Sequence, residues 1–368
     1  METDPKLTAI QECITNRLDI AAIGQRQIAA VIGDAPSHYS KSPELWNAAF
    51  RMSGIEAIYL PLDVQQNRLR DLITALRNSE RVLGANVTVP HKLKMIDYLD
   101  ELDPNAAHIQ AVNTIVRTQN GRLVGYNTDG EGFIESILKP QPGQQTSFIE
   151  SLADMDVLLL GAGGSARAVA PHTAQLLGDG KLMICNRTVE SAAALAAEIR
   201  ARGWRARAVP EAELSTWAPR VGLIINSTTK GQGGLRSLEN ETAIMAEPYS
   251  ALAPAQPIAL ATGKTRSGDI AGKAFHANIE INNEASMKLA ASIPKHVRFY
   301  DLIYFPEETV FLRHGRLTGH PTMNGKSMII NQAVIAFCER ICRAELQARG
   351  IDKPETYQRI LETMYRAW

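Results

Sequence analysis

Val157-Leu-Leu-Leu-Gly161-Ala162-Gly163-Gly164-Ser165-Ala166-Arg167 is an apolar run that ends in closely spaced glycines and passes into an Ala-rich stretch reaching Leu177. An unbroken apolar run suits a strand buried on both faces. Glycines after it permit a tight turn and let the backbone approach a pyrophosphate, and the helix that follows offers its N-terminal N–H groups to an anion. Gly161, Gly163 and Ala166 satisfy the pattern G-x-G-x-x-A. Alone that match is weak evidence. Here it follows a strand, opens a helix and leads to a second strand, Lys181-Leu-Met-Ile-Cys185, which makes a βαβ unit that binds a dinucleotide.

Working outward, a helix is predicted over Val189 to Ala201, a strand over Gly222 to Asn226 ending at Ser227-Thr228, and a strand-like segment from Phe299 to Tyr304. Leu235 to Pro294 shows no readable period. From Ser327 onward the pattern is helical, with a break near Gly350 to Pro354. Upstream, a helix is expected from Lys6 to Asp19 and strands at Gln27 to Gly33, Ala57 to Leu62 and Leu83 to Val89, the last halted by Pro90. Helices are expected from Ser42-Pro43, with Ser42 as N-cap, from Leu69 to Arg77, and from Gly132 to Leu138 after the Asp129-Gly130 turn. Pro140 to Thr146 is a turn-rich connector. Repeated strand–helix alternation implies an α/β fold with mostly parallel sheets covered by helices. Ligands of such sheets bind at the carboxyl ends of the strands, where Gly33, Asn86, Thr88 and Lys92 fall.

At 368 residues the chain is long enough for two domains. Lys plus Arg and Asp plus Glu balance at 39 each, so no global field favours nucleic acid or a membrane surface. No run approaches the roughly 18 apolar residues of a spanning helix, and Met1-Glu-Thr-Asp-Pro-Lys6 has no basic lead into an apolar core, so a cytoplasmic protein is expected. Cys13, Cys185, Cys338 and Cys342 are too few and scattered for a disulfide framework. Cys338 and Cys342 share a helical face, but no further ligand lies near them in sequence; they are read as buried thiols, and no metal is expected.

Three short blocks concentrate polar chemistry: Asn86-Val-Thr-Val-Pro-His-Lys92, Ala111-Val-Asn113-Thr114 and Gly125-Tyr-Asn-Thr-Asp129-Gly130. One amine, one carboxylate and several amides and hydroxyls at the ends of apolar runs suit a hydroxylated, anionic small molecule. Each residue also has an ordinary alternative. Lys92 can cap a strand end, Asp129 and Ser42 a helix, Asn86 and Asn113 can close turns, and Tyr304 can be core. Gln332, on an apolar helix, is the least easily explained without a ligand.

Together with Ser40-Lys-Ser42-Pro43, Asn186-Arg187-Thr188, and Tyr300-Asp-Leu-Ile-Tyr304 with Pro306 and Thr309, these blocks resemble the shikimate dehydrogenase family from about Ile28 to Phe337. The resemblance implies a substrate domain at 1–128 and 322–368 and a Rossmann domain at 129–321 with a family-atypical insert at about 235–294. It implies reversible, NADP-dependent reduction of 3-dehydroshikimate to shikimate within aromatic amino-acid biosynthesis, with Lys92 as acid/base and Asp129 as its partner. It assigns Ser40 and Ser42 to the substrate carboxylate, and Asn86, Thr88, Asn113, Tyr304 and Gln332 to the ring. The cofactor falls to Gly161 to Ala166, to Asn186, Arg187 and Thr188, and to Ser227, Thr228 and Gly325. An arginine where NAD-specific sites place an acid favours the 2′-phosphate of NADP.

The chain departs from the family pattern in several places. Tyr39 adds a residue between His38 and Ser40, and Trp46 stands where the family often has His. Glu190 and Ser191 lie where a second basic residue would follow Arg187, so NAD is a further candidate cofactor. Lys326-Ser327 replaces Leu-Gly in the block Asn324 to Met328. A divergent member is expected, monomeric or homodimeric, whose only other partner is a small molecule. The alternatives are a paralogue acting on quinate, aminoshikimate or a related cyclic polyol acid, and a non-catalytic metabolite or nucleotide sensor.

Overall fold

In the computed structural model, which describes residues 4–232, 235–237, 243–245, 249–255 and 268–368, the chain divides into two units. The first runs to Thr146 and resumes at Met328; the second is Ser147–Ser327. The helix Asp129–Leu138 therefore lies in the first unit, whereas the sequence reading began the second domain at Asp129.

The first unit holds a six-stranded sheet in the order β2-β1-β3-β5-β6-β4, built from β1 (Gln27–Gly33), β2 (Ala57–Asp63), β3 (Val82–Val87), β4 (Glu101–Leu102), β5 (Thr114–Arg117) and β6 (Leu123–Tyr126). β1 pairs in parallel with β2 and β3, while β5 runs antiparallel to both β3 and β6. Both faces are covered, so β1 is apolar from Ile28 onward. Ile28, Ala30 and Ile32 meet Leu69, Leu72, Ile73 and Leu76 on one side. Ala29 and Val31 meet Leu45, Trp46, Phe50, Phe337 and Ile360 on the other. Register sets up the site, because Asn86 pairs with Thr114 and Thr114 with Tyr126. That row brings the segments 86–92, 111–114 and 126–129 side by side.

Several element boundaries differ from the sequence reading for local reasons. The N-terminal helix is Pro5–Gln11, and a second short one is Ile20–Ile23. Between them Asn16 leaves the helix to serve the open edge of β2, donating to the Pro61 carbonyl at 2.9 Å and accepting from the Asp63 amide at 2.8 Å. Ser42 is the first residue of its helix and not its cap; Lys41 caps, and the Ser42 amide donates to Ser40 Oγ at 3.2 Å. β3 stops at Val87, and the helix expected from Gly132 starts at Asp129.

The second unit is a parallel sheet in the order β14-β13-β10-β7-β8-β9. Its strands are β7 (Val157–Leu160), β8 (Leu182–Cys185), β9 (Ala206–Val209), β10 (Leu223–Asn226), β13 (Arg298–Asp301) and β14 (Thr322–Met323), while β11 (Leu235–Ser237) and β12 (Ala243–Met245) form a separate antiparallel pair. Counted from β9, the order is that of a doubly wound dinucleotide fold, with its switch point between β7 and β10. Within the stretch 235–294, residues 238–242, 246–248 and 256–267 lie outside those described. The stretch contains a helix, Gly268–Ser292. Buried Asn282 anchors it, accepting from the Ser250 amide at 2.7 Å and donating to the Ser250, Ala253 and Pro254 carbonyls. The strand expected to reach Tyr304 ends at Asp301, whose carboxylate accepts from the Ile303 amide at 2.9 Å and turns the chain.

Candidate active site

Lys92 Nζ donates to Asp129 Oδ2 at 2.6 Å, with side chains 33% and 11% exposed. Lys92 follows β3 by a turn in which the His91 amide bonds the Thr88 carbonyl, and the Lys92 carbonyl accepts from the Val112 amide at 2.9 Å. Asp129 opens its helix, and its backbone amide donates to Asn127 Oδ1 at 3.1 Å. The pair thus sits on two backbone supports tied into the sheet. One ion is half-open to solvent and the other almost enclosed, an arrangement able to hold a proton at a defined place.

Asn113 organises the rest. Its Nδ2 donates to Asp129 Oδ1 at 2.8 Å, Thr128 Oγ1 at 3.1 Å and Gln332 Oε1 at 3.3 Å. Its Oδ1 accepts from the Thr128 amide and from Thr114 Oγ1, each at 2.9 Å. Asn113 and Asn86 therefore do not close turns; both are buried in a polar cluster. Asn86 Oδ1 accepts from the Tyr59 hydroxyl at 2.6 Å, and its Nδ2 donates to Thr114 Oγ1 at 3.0 Å and to the Asn113 carbonyl at 3.3 Å. Gln332 Nε2 donates to the Ile329 carbonyl at 3.0 Å, and the Gln332 side chain is half-buried.

Lys92, Asp129, Asn86, Asn113 and Gln332 are thus brought into one cluster, to which the sequence reading had not added Tyr59, Thr114 and Thr128. Tyr59 is buried on β2, whose near-continuous apolar run gave no sign of its polar role. Burial pushes the Tyr59 phenol well above its ordinary value, and the Ser42 side chain beside it works the other way. Ser40, Ser42 and Thr88 are half-buried. Thr88 Cγ2 lies 2.6 Å from where a Cβ on Gly33 would be, so glycine is required at the end of β1. Tyr39 Oη is 2.9 Å from the same point and donates to Asp34 Oδ1 at 2.8 Å.

In the second unit, Gly161 has φ of +109°, and a Cβ there would lie 2.6 Å from Ser227 Oγ, which itself donates to the Leu160 carbonyl at 2.7 Å. Gly163 caps the helix Gly164–Leu176 with no side-chain hydrogen bond, and a Cβ on Gly163 or Gly164 would meet open space. Gly163, Gly164 and Ser165 are exposed while Ala162 and Ala166 are buried, which presents backbone amides outward at a helix start. After β8, Asn186 Nδ2 donates to the Thr188 carbonyl at 3.0 Å, beside exposed Arg187. Thr228 is fixed through its amide and hydroxyl, both donating to Asn226 Oδ1.

Tyr304 and Gly325 also belong to this unit. A side chain on buried Gly325 would overlap the Leu302 carbonyl, and the Gly325 amide donates to the Ile303 carbonyl at 3.0 Å. Behind these loops lies Asp301, which sequence reasoning gave no role. It is fully buried, accepts from Asn226 Nδ2 at 2.9 Å and Thr309 Oγ1 at 2.6 Å, and burial pushes its carboxyl up to about 7. Among the described residues, all four cysteines are buried and free, no cluster suits a metal, and no helix is long and apolar enough to cross a membrane.

The shikimate dehydrogenase substrate binding domain matches residues 31–115, and the shikimate/quinate 5-dehydrogenase model matches residues 144–250. The NADP(+) shikimate dehydrogenase of Desulforamulus reducens is 33% identical over 315 residues, covering 85% of this chain and 89% of the relative. That of Lysinibacillus sphaericus is 34% identical over 311 residues, covering 84% and 90%. The Thermus thermophilus shikimate 5-dehydrogenase, solved in complex with NADP(H) and shikimate, superposes with a TM-score of 0.63 at 27% identity, covering 93% of this chain and 100% of that one. On the match of both domains and of relatives over most of its length, the chain belongs to the shikimate dehydrogenase family, oxidoreductases acting on a CH–OH group.

Proposed function

We propose that the protein is an NADP-dependent shikimate dehydrogenase that interconverts shikimate and 3-dehydroshikimate, with Lys92 moving the proton and Asp129 holding Lys92 in place. The observation that carries this reading is the 2.6 Å contact of Lys92 Nζ with Asp129 Oδ2, whose other oxygen is held by Asn113. NADP, when bound, exchanges a hydride with the ring carbon. In reduction the Lys92 ammonium stabilises the charge developing on the carbonyl oxygen and gives it a proton; in oxidation the neutral amine takes that proton back. Asp129 fixes the direction of the Nζ protons, so little reorganisation is needed when charge develops.

The cofactor fits the chain's own residues. The open space over Gly163 and Gly164, the uncapped helix start and the positive φ at Gly161 support a pyrophosphate seat there. Ala162, Ser165 and Ala166 complete that loop; Asn186, Arg187 and Thr188 would take the ribose phosphate; and Ser227, Thr228 and Gly325 would flank the nicotinamide end. For the substrate, Ser40 and Ser42 would take the carboxylate, and Asn86, Thr88, Asn113, Tyr304 and Gln332 the ring hydroxyls. A second reading, turnover of quinate or a related cyclic polyol acid, is favoured by Tyr39, the added residue whose hydroxyl bonds Asp34 beside the end of β1.

A spectrophotometric assay with shikimate and with quinate, each with NADP⁺ and NAD⁺, separates the readings. Turnover of shikimate with NADP⁺ supports the first, and turnover of quinate alone the second. Silence on all four combinations, with NADPH still bound, would leave a sensor.

A further inference from the structure

Tyr59 lies on β2, with β1 between it and β3, yet a single run of hydrogen bonds joins it to the Lys92–Asp129 pair. The Tyr59 hydroxyl donates to Asn86 Oδ1 at 2.6 Å, and Asn86 Nδ2 to Thr114 Oγ1 at 3.0 Å. Thr114 Oγ1 then donates to Asn113 Oδ1 at 2.9 Å, and Asn113 Nδ2 to Asp129 Oδ1 at 2.8 Å. The sense of each link is fixed by acceptors with no proton to give. Asn86 Nδ2 also faces the Asn113 carbonyl, so its Oδ1 must face Tyr59 and the phenol must donate. Asn113 Oδ1 accepts from the Thr128 amide, so its Nδ2 must face the carboxylate. Every donor therefore points toward Asp129, where Lys92 donates from the other side.

We propose that Tyr59 is a positioning residue for the reaction: its proton satisfies Asn86 Oδ1 and so pins the amide that, through Thr114 and Asn113, orients Asp129 toward Lys92. This rests on the shikimate dehydrogenase reading above. Trp46 holds Tyr59 in place, its ring stacked on the phenol at 4.7 Å and 25°. The indole offers no side-chain acceptor to the phenol, whose proton goes to Asn86. Burial keeps the phenol protonated, so it remains a donor across the working pH range. Aligned hydrogen bonds polarise one another in a dry site, so a change at the far end is felt at the carboxylate.

Tyr59→Phe removes only the donor. Asn86 Oδ1 then loses its partner, and the amide, still faced by the Asn113 carbonyl, holds Thr114 Oγ1 and the run beyond it less firmly. The expected result is a kcat for shikimate oxidation with NADP⁺ lowered about fivefold to tenfold, the size of one hydrogen bond. The KM for shikimate should change less than kcat, because Tyr59 is enclosed and reaches the substrate only through Asn86, whose Nδ2 stays held by the Asn113 carbonyl. Thr114→Val, which breaks the same run further along, should lower kcat similarly, and the double variant should lose little more than either alone. Thr114→Val also keeps the test decisive should Tyr59→Phe fold poorly.

Unchanged kcat in both variants, or losses in the double variant that multiply, would overturn the positioning role while leaving the dehydrogenase reading intact. A loss confined to thermal stability would do the same. If the unmodified protein does not oxidise shikimate at all, the functional reading fails and the role assigned to Tyr59 falls with it.

Discussion

The Cα of Gly132 lies against the backbone of Gln332, so that a Cβ on Gly132 would stand 2.5 Å from the Gln332 nitrogen. This close crossing sets the helix that begins with Asp129 against the one that carries Gln332, and it lets Thr128 Oγ1 reach the Gln332 carbonyl at 3.2 Å. Backbone cannot retreat as a flexible side chain can, so a methyl group here must push the helices apart.

Gly132→Ala should therefore destabilise the protein by about 1–3 kcal/mol, read as a lower denaturant midpoint, and should lower turnover more than cofactor affinity. An unchanged midpoint would mean that the crossing is looser than the structure has it.

Buried Asp301 gives stability a definite dependence on pH. Its carboxyl is raised from 3.8 to about 7 by burial, so between those values the folded protein keeps a proton that the unfolded chain has lost. Its contribution to stability then falls as pH rises through that window. His314, whose imidazole is lowered chiefly by burial, has the opposite sign, losing stability as pH falls below about 6.5. Asp301→Asn should remove the first dependence alone, placing a neutral amide where the carboxyl accepts from Thr309 Oγ1. Denaturant melts of both proteins at pH 4.5 and 7.5 check this: the stability difference between variant and parent should grow in the variant's favour at the higher pH. A pH-independent difference would contradict it.

Arg187 stands exposed after β8, and the proposed function gives it the 2′-phosphate. Arg187→Ala should weaken NADPH by about tenfold or more while hardly changing NADH. Equal losses for both nucleotides, measured by fluorescence titration, would remove Arg187 from the phosphate seat.

Much of the fold was legible where period and punctuation agree. The strand at Gln27 and the helices at Leu69–Arg77 and Val189–Ala201 carry unbroken patterns between clear stops, and their limits match the structure. The antiparallel strands β5 and β6 were not seen, because they are short and their pairing with β3 is a tertiary choice. The long N-terminal helix failed because Asn16 has a better use as a bonding partner of β2. At the site, Asn113 and Gln332 are 219 positions apart, and no local pattern reveals that they touch. Resemblance gathered them into one set, and the hydrogen bonds supply its physical basis. Tyr59 and Asp301 stayed hidden for a different reason: each reads as an ordinary strand residue until its polar atoms are matched with partners.

The account turns on Lys92, and Lys92→Met is its most direct test. Steady-state oxidation of shikimate with NADP⁺ should fall by about 10²–10⁴ in kcat, while NADPH binding stays near that of the unmodified protein, because the amine acts on the reacting oxygen and not on the cofactor. Turnover kept within a few-fold, or lost in step with NADPH affinity, would contradict the assignment.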